Sequence, residues 1–121
     1  VTVLGPVKKA QLSKLYKNID YVFLLSKLES FSNNIIESWF FQKVLVISDR
    51  EWSNTICKEG AIYVDRNNAL DIVKKILNLE KNNSRKASII ANGDLILKTY
   101  PSMKDKIDLE LNYIKSIHES N

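Results

Sequence analysis

The sequence is poor in the residues that build metal centres and cross-links. Cys57 is its only cysteine and His118 its only histidine among 121 residues. An intrachain disulfide is therefore excluded, and metal clusters and Cys/His catalytic pairs have too few ligands. With three glycines and two prolines, the chain is neither fibrous nor of low complexity. The longest apolar runs, Tyr21 to Leu25 and Val44 to Ile47, fall far short of the ~20 residues that span a bilayer. No signal-peptide pattern is present. These absences point to a reducing, cytoplasmic setting.

What is there suits a folded domain. The residues are 45% hydrophobic and 26% charged, and a single domain of this length buries about two-thirds of its unfolded surface. The formal charge of +4 biases the chain weakly toward acidic partners. Its lysines, however, are dispersed among acids over several segments, as on solvated helix faces, so no nucleic-acid partner is expected.

Val1 to Leu4 is apolar and β-branched and meets Gly5-Pro6, as a short buried strand meets its turn. Lys8 to Lys17 sets Leu12, Leu15 and Tyr16 on one helical face. Tyr21–Leu25 and Val44–Ser48 are continuous apolar strands covered on both faces. Between them, Ser32, Asn33 and Asn34 offer N-caps for a helix to about Gln42, with Ile35, Ile36, Trp39 and Phe40 at helical spacing. Trp52 to Glu59 reads as a short helix with Ile56 and Cys57 inward and Gly60 as its C-terminal glycine cap, followed by a strand, Ala61–Val64. Beyond the polar turn Asp65–Asn68, Leu70, Val73, Ile76 and Leu77 give a strong helical period. Helices over Ser84 to about Lys98, despite Gly93, and Ser102 to about His118 follow, parted by Pro101.

Alternating strands and helices predict an α/β fold, a Rossmann-like parallel sheet flanked by helices. Residues 1–121 form one such domain, with 99–121 a C-terminal helical segment. Ligands of these sheets bind beyond the carboxyl ends of the strands, so the loops after Leu4, Leu25, Ser48 and Val64 form the functional rim.

The loop Ser26 to Asn33 ends a strand and opens a helix, and the first-turn amides near Asn34, Ile35 and Ile36 favour a phosphate. Glu29 and Glu37, separated by seven residues, flank that point. A carboxylate accepts hydrogen bonds from vicinal hydroxyls, so Glu37 is a candidate for ribose and Glu29 for a second sugar. On spacing alone, both are equally well read as solvent-exposed carboxylates.

The stretch LSKLESFSNNIIESWFFQKVLVIS resembles the signature P-S-x-x-E-G-F-G-x-x-x-x-E-A-M-A-x-G-x-P-V-I-A-S of the family 4 retaining glycosyltransferases, also called group 1 glycosyltransferases. These have the two-domain GT-B architecture, and the resemblance falls in the nucleotide-sugar-binding C-terminal half. Trp52, Cys57, Ala61, Tyr63 and Asp65 extend the likeness downstream, and Gly5 and Leu12 to Asp20 extend it upstream. The resemblance implies that Glu29, the first glutamate of the E-x7-E motif, acts at the donor sugar as the catalytic-site residue. Glu37 would hold the ribose, and Ser30, Phe31, Ser32, Asn33, Asn34, Ile35 and Gly5 would complete the donor site. It implies no metal and no cofactor other than the nucleotide diphosphate sugar itself as donor substrate.

Departures from the signature are Ser30 and Ser32 for glycines, Trp39, Phe40 and Phe41 for smaller residues, Gln42 for glycine and Val44 for proline. Helix packing on the sheet is expected to differ accordingly. The phosphate-binding Arg and Lys of the family and its acceptor-binding N-terminal domain lie upstream of the matched stretch. The chain is thus expected to be an incomplete GT-B half whose partner is the missing N-terminal domain. Its sheet would supply strands 3, 4, 5 and 6 of the order 3-2-1-4-5-6, leaving strand edges open to self-association. Basic helices would allow peripheral membrane contact. Polysaccharide, lipid-linked glycan or another glycan is the expected acceptor. The alternatives from other classes are a signalling receiver with Asp49 as phosphoacceptor and a non-catalytic binding module that keeps only the fold.

Overall fold

The computed structural model of the chain describes residues 11–26 and 33–99. The expected strand Val1–Leu4, the gap beside it and the helix from Ser102 lie outside the described residues. Within them the elements are α1 (Leu12–Lys17), β1 (Tyr21–Leu24), α2 (Asn33–Phe40), β2 (Val44–Ser48), α3 (Glu51–Cys57), β3 (Ile62–Val64), α4 (Ala69–Glu80) and α5 (Asn83–Lys98).

Side chains of a strand alternate between faces, and the parallel three-stranded sheet, ordered β1-β2-β3, uses both. Tyr21 pairs with Val44 and Leu24 with Ile47, then Val46 with Ile62 and Ser48 with Val64. All five residues of β2 are buried, which explains its apolar run, but β1 is not covered on both faces as expected: Leu24 is buried while Phe23, on the opposite face, is 49% exposed. Leu45 and Ile47 join Ile35, Ile36 and Trp39 of α2, Cys57 of α3 and Leu97 of α5 in one core. Val44 and Val46 join Ile62, Val64, Leu79 of α4 and Ile89 of α5 in the other. The result is the predicted α/β, Rossmann-like sandwich of helices about a parallel sheet.

α5 belongs to both cores, Ile89 in one and Leu97 in the other. It passes the end of the sheet where the strands begin: Asn92 Nδ2 donates to the Glu59 carbonyl at 3.3 Å, and a Cβ on Gly60 would lie 3.0 Å from Gly93 Cα. The opposite end, where the strands finish, carries the rim. A second tie joins Tyr21, whose hydroxyl donates to Glu80, and Lys86, whose Nζ lies 2.8 Å from the same carboxylate and 5.0 Å from the Tyr21 ring centroid. At the outer edge, Val64 turns its carbonyl to Asp49 N in the strand-end loop of β2, so the preceding Tyr63 carbonyl faces away from the sheet. Lys75 Nζ donates to it at 2.7 Å.

Two expectations change. The apolar stripe read for α4 is not its buried face: Leu70, Val73 and Leu77 are 74, 51 and 55% exposed, whereas Leu79 is buried and Ile72 packs beside it. Leu79 and Ile72 face the core because α4 packs against β3 and α5, with Lys75 reaching the β3 edge. Nor is Gly60 the left-handed cap of α3. Lys58 stands at the C-cap with a positive φ of 45° but ψ −119°, the geometry of the first central residue of a type II′ turn, which Gly60 N closes by donating to the Cys57 carbonyl at 2.7 Å. Gly60 serves close approach to α5 instead.

The end of α2 is a Schellman motif. Lys43 N donates to Ser38 O and Gln42 N to Trp39 O, at 2.8 and 3.1 Å, with Gln42 at φ 58°. Trp39 fills the space below it, its Nε1 donating to the Gly60 carbonyl at 2.9 Å.

Candidate functional site

The rim begins where β1 ends and α2 starts. Asn33 and Asn34 are exposed in the first turn of α2, and Ile35 is fully buried. Ile35 can therefore reach a ligand only through its backbone amide. The remaining expected donor residues, Gly5, Glu29, Ser30, Phe31 and Ser32, lie outside the described residues.

Glu37 is half-buried, one turn along α2. The Tyr16 hydroxyl donates to its Oε2 at 2.9 Å, bridging from α1. Tyr16 is itself buried and stacks on Phe41, ring centroids 4.6 Å apart. Burial first, then the charge of Glu37, hold the Tyr16 phenol well above its usual range, so it remains a donor at neutral pH. The sequence reading placed Tyr16 only on an apolar helix face. A tyrosine is compatible with a buried face when its hydroxyl finds a partner, and nothing in the local pattern names a partner 21 residues away.

At the ends of β2 and β3 the rim opens into a cleft of about 420 Å³ lined by Ser48, Asp49, Arg50, Asp65, Arg66 and Lys75, among others. That volume is within the ~300–1,000 Å³ of small-molecule sites. Its carboxylates are engaged: Asp49 Oδ1 accepts from Asn54 Nδ2 at 2.8 Å, and Asp65 Oδ1 from Asn67 N at 3.0 Å. Asp71 Oδ2 accepts from Asp65 N at 3.0 Å and lies 3.4 Å from Lys75 Nζ. The Asp65 amide, first among its causes, draws the Asp71 carboxyl below its ordinary range. Arg50 and Arg66 form no side-chain hydrogen bond or ion pair among the described residues. Ser48 is 1% exposed, and its Oγ has no hydrogen-bond partner.

Among the described residues no three His, Cys, Asp or Glu side chains converge as metal ligands, and no helix is long and apolar enough to cross a membrane. Cys57 is fully buried, and burial pushes its thiol up to about 12. It packs in the core and has no part in the rim.

A family model described as "Glycosyl transferases group 1" matches residues 1–95 of the chain. The chain belongs to that family. Neither the comparison with curated proteins nor that with solved structures found a match. Membership makes this a glycosyltransferase domain, and the resemblance carried by residues 25–48 gains a geometric detail. Gln42, aligned with a glycine of the family signature, has φ 58°, the left-handed backbone that glycine adopts without strain. The group 1 pattern and this backbone agree in register there.

Proposed function

We propose that the domain binds the nucleoside diphosphate sugar of a retaining, hexosyl-type transfer to a glycan acceptor, such as a polysaccharide or a lipid-linked glycan. The observation that carries the reading is the Glu37 carboxylate on the rim flank of α2, held by the Tyr16 hydroxyl at 2.9 Å. A carboxylate oriented in this way is a natural acceptor for the vicinal hydroxyls of a ribose. In this reading the amides of Ser30 to Ile35 face the diphosphate and donor sugar at the head of α2, where the helix dipole favours negative charge. Glu29 receives donor-sugar hydroxyls.

Transfer then depends on stabilising the departing diphosphate by main-chain and basic donors while the acceptor attacks from the same face. No metal is needed for that. The acceptor and further phosphate ligands would come from the N-terminal GT-B domain, so the isolated chain binds donor without turning it over. The parent enzyme would work in the cytoplasm, at or near the membrane surface.

Calorimetric titration with UDP- and GDP-sugars tests the reading. Weak binding that Glu37→Ala reduces at least fivefold supports it; the same heat from both proteins, or none from either, counts against it.

A further inference from the structure

The cleft at the ends of β2 and β3 is separate in its residues from the donor site and has a donor–acceptor balance of its own. Three cations, Arg50, Arg66 and Lys75, face three carboxylates, Asp49, Asp65 and Asp71. Lys75 is committed to Asp71 and to the Tyr63 carbonyl. The two guanidinium groups are not committed, and both are at least partly accessible to solvent. Below them lies Ser48, on the sheet face shared with Val44 and Val46. It is the one described residue whose buried side-chain polar atom lacks a partner. A buried hydroxyl is ordinarily satisfied, and one left open at a cavity wall marks where a ligand or its bound water belongs.

We propose that this cleft is a binding subsite for an acidic sugar, whose carboxylate or phosphate is gripped by Arg50 and Arg66. Guanidinium forks match such groups bidentately. The ligand is a sugar and not a bare anion because the wall has equal numbers of positive and negative groups. A small polyanion gains no net attraction from such a wall. A molecule with one anionic group and several hydroxyls satisfies both halves: its anion meets the guanidinium groups, and its hydroxyls donate to the free lone pairs of Asp49 and Asp65. Ser48 supplies the polar floor. Binding in the cleft does not rest on the proposed donor function.

Amide NMR titrations of the full 121-residue chain with glucuronate, glucose 6-phosphate, glucose and inorganic phosphate provide the test. Glucuronate, glucose 6-phosphate or both should shift the resonances of residues 48–50 and 64–66 at millimolar concentration, with glucose and phosphate at least tenfold weaker. Glucuronate alone would identify a uronate, and glucose 6-phosphate alone a phosphosugar. Arg50→Gln with Arg66→Gln should weaken the response at least tenfold while leaving the remaining spectrum and nucleotide-sugar binding unchanged. Silence with both acidic sugars, equal response to phosphate or to glucose, or an unaffected double variant overturns the proposal. Cleft binding without any nucleotide-sugar binding would leave it standing and reject the donor reading.

Discussion

Trp39 and Gly93 share one space. A Cβ added to Gly93 would lie 2.3 Å from Trp39 Cδ1 and 2.7 Å from its Nε1, and the indole is 1% exposed. The bulky residue at the end of α2, where the family signature has methionine, is accommodated by a missing side chain in α5.

Gly93→Ala should destabilise the fold although it sits mid-helix. Helix propensity alone favours alanine by about 1 kcal/mol, but overpacking of a tight core costs about 1–3 kcal/mol, and here the obstacle is a rigid ring hydrogen-bonded to Gly60. A net loss of up to about 2 kcal/mol in urea unfolding is expected. In a Trp39→Leu background, already weakened by the cavity, the same change should become neutral or favourable. Additive effects in this cycle would reject the steric account.

Gln42→Gly and Lys58→Gly should each stabilise the domain. Both positions have positive φ, 58° and 45°, where a β-carbon costs about 1–2 kcal/mol, offset in part by the extra freedom of glycine in the unfolded chain. A gain of up to about 1 kcal/mol per site is expected, read as a raised urea midpoint at unchanged slope.

Tyr16→Phe removes a hydrogen-bond donor to Glu37 and leaves a half-buried carboxylate less well satisfied. A loss of about 1–2 kcal/mol in stability is expected, together with a severalfold weaker response to nucleotide sugars. A tighter response would mean that the tyrosine competes with ribose instead of orienting its acceptor.

Cys57 should resist Ellman's reagent at pH 8 until the protein is unfolded. Its thiol titrates near 12 in the fold, against an ordinary value of 9.0. Because the folded value is raised, its stabilising contribution is complete below pH 9 and is lost as pH rises toward 12. Burial raises the phenols of Tyr16 and Tyr63 in the same sense. Urea midpoints should therefore fall on the alkaline side above about pH 9, and Cys57→Ser should change that slope.

At the acid end the sign reverses. The Lys86 ammonium, then the Tyr21 hydroxyl, hold the Glu80 carboxyl below its ordinary 4.5. Its contribution is present above that value and disappears as pH falls through the lower folded one. Glu80→Gln should lower the midpoint at neutral pH by a small amount and flatten its decline below pH 4.5, the exposed pair being screened by solvent.

The strands were readable because their physics is local. Val44–Ile47 is apolar throughout, as a strand buried on two faces must be, whereas Tyr21–Leu24 is equally apolar with Phe23 exposed, and Asn68 caps α4 through its own side chain, accepting from Asp71 N at 3.1 Å. What escaped the reading depends on distant partners. Leu70, Val73 and Leu77 mark a helical period but not the face that is buried, which the sheet decides. Lys58 gives no hint of a turn that glycine would announce. Arg50, Arg66 and Ser48 belong to two strand ends brought together only by the β2–β3 pairing, so their proximity has no signature in spacing. Glu37 could be named from its motif; its Tyr16 partner could not.

The Lys75 ammonium on the outward Tyr63 carbonyl also has a bearing on assembly. β3 has only three residues, and the lysine occupies an acceptor that an incoming strand would need to extend the sheet in register. Edge strands invite such templated growth, and a cationic guard is a common way to refuse it. A strand added to the β3 edge would first have to displace this lysine, so the short edge is protected by charge as well as by length.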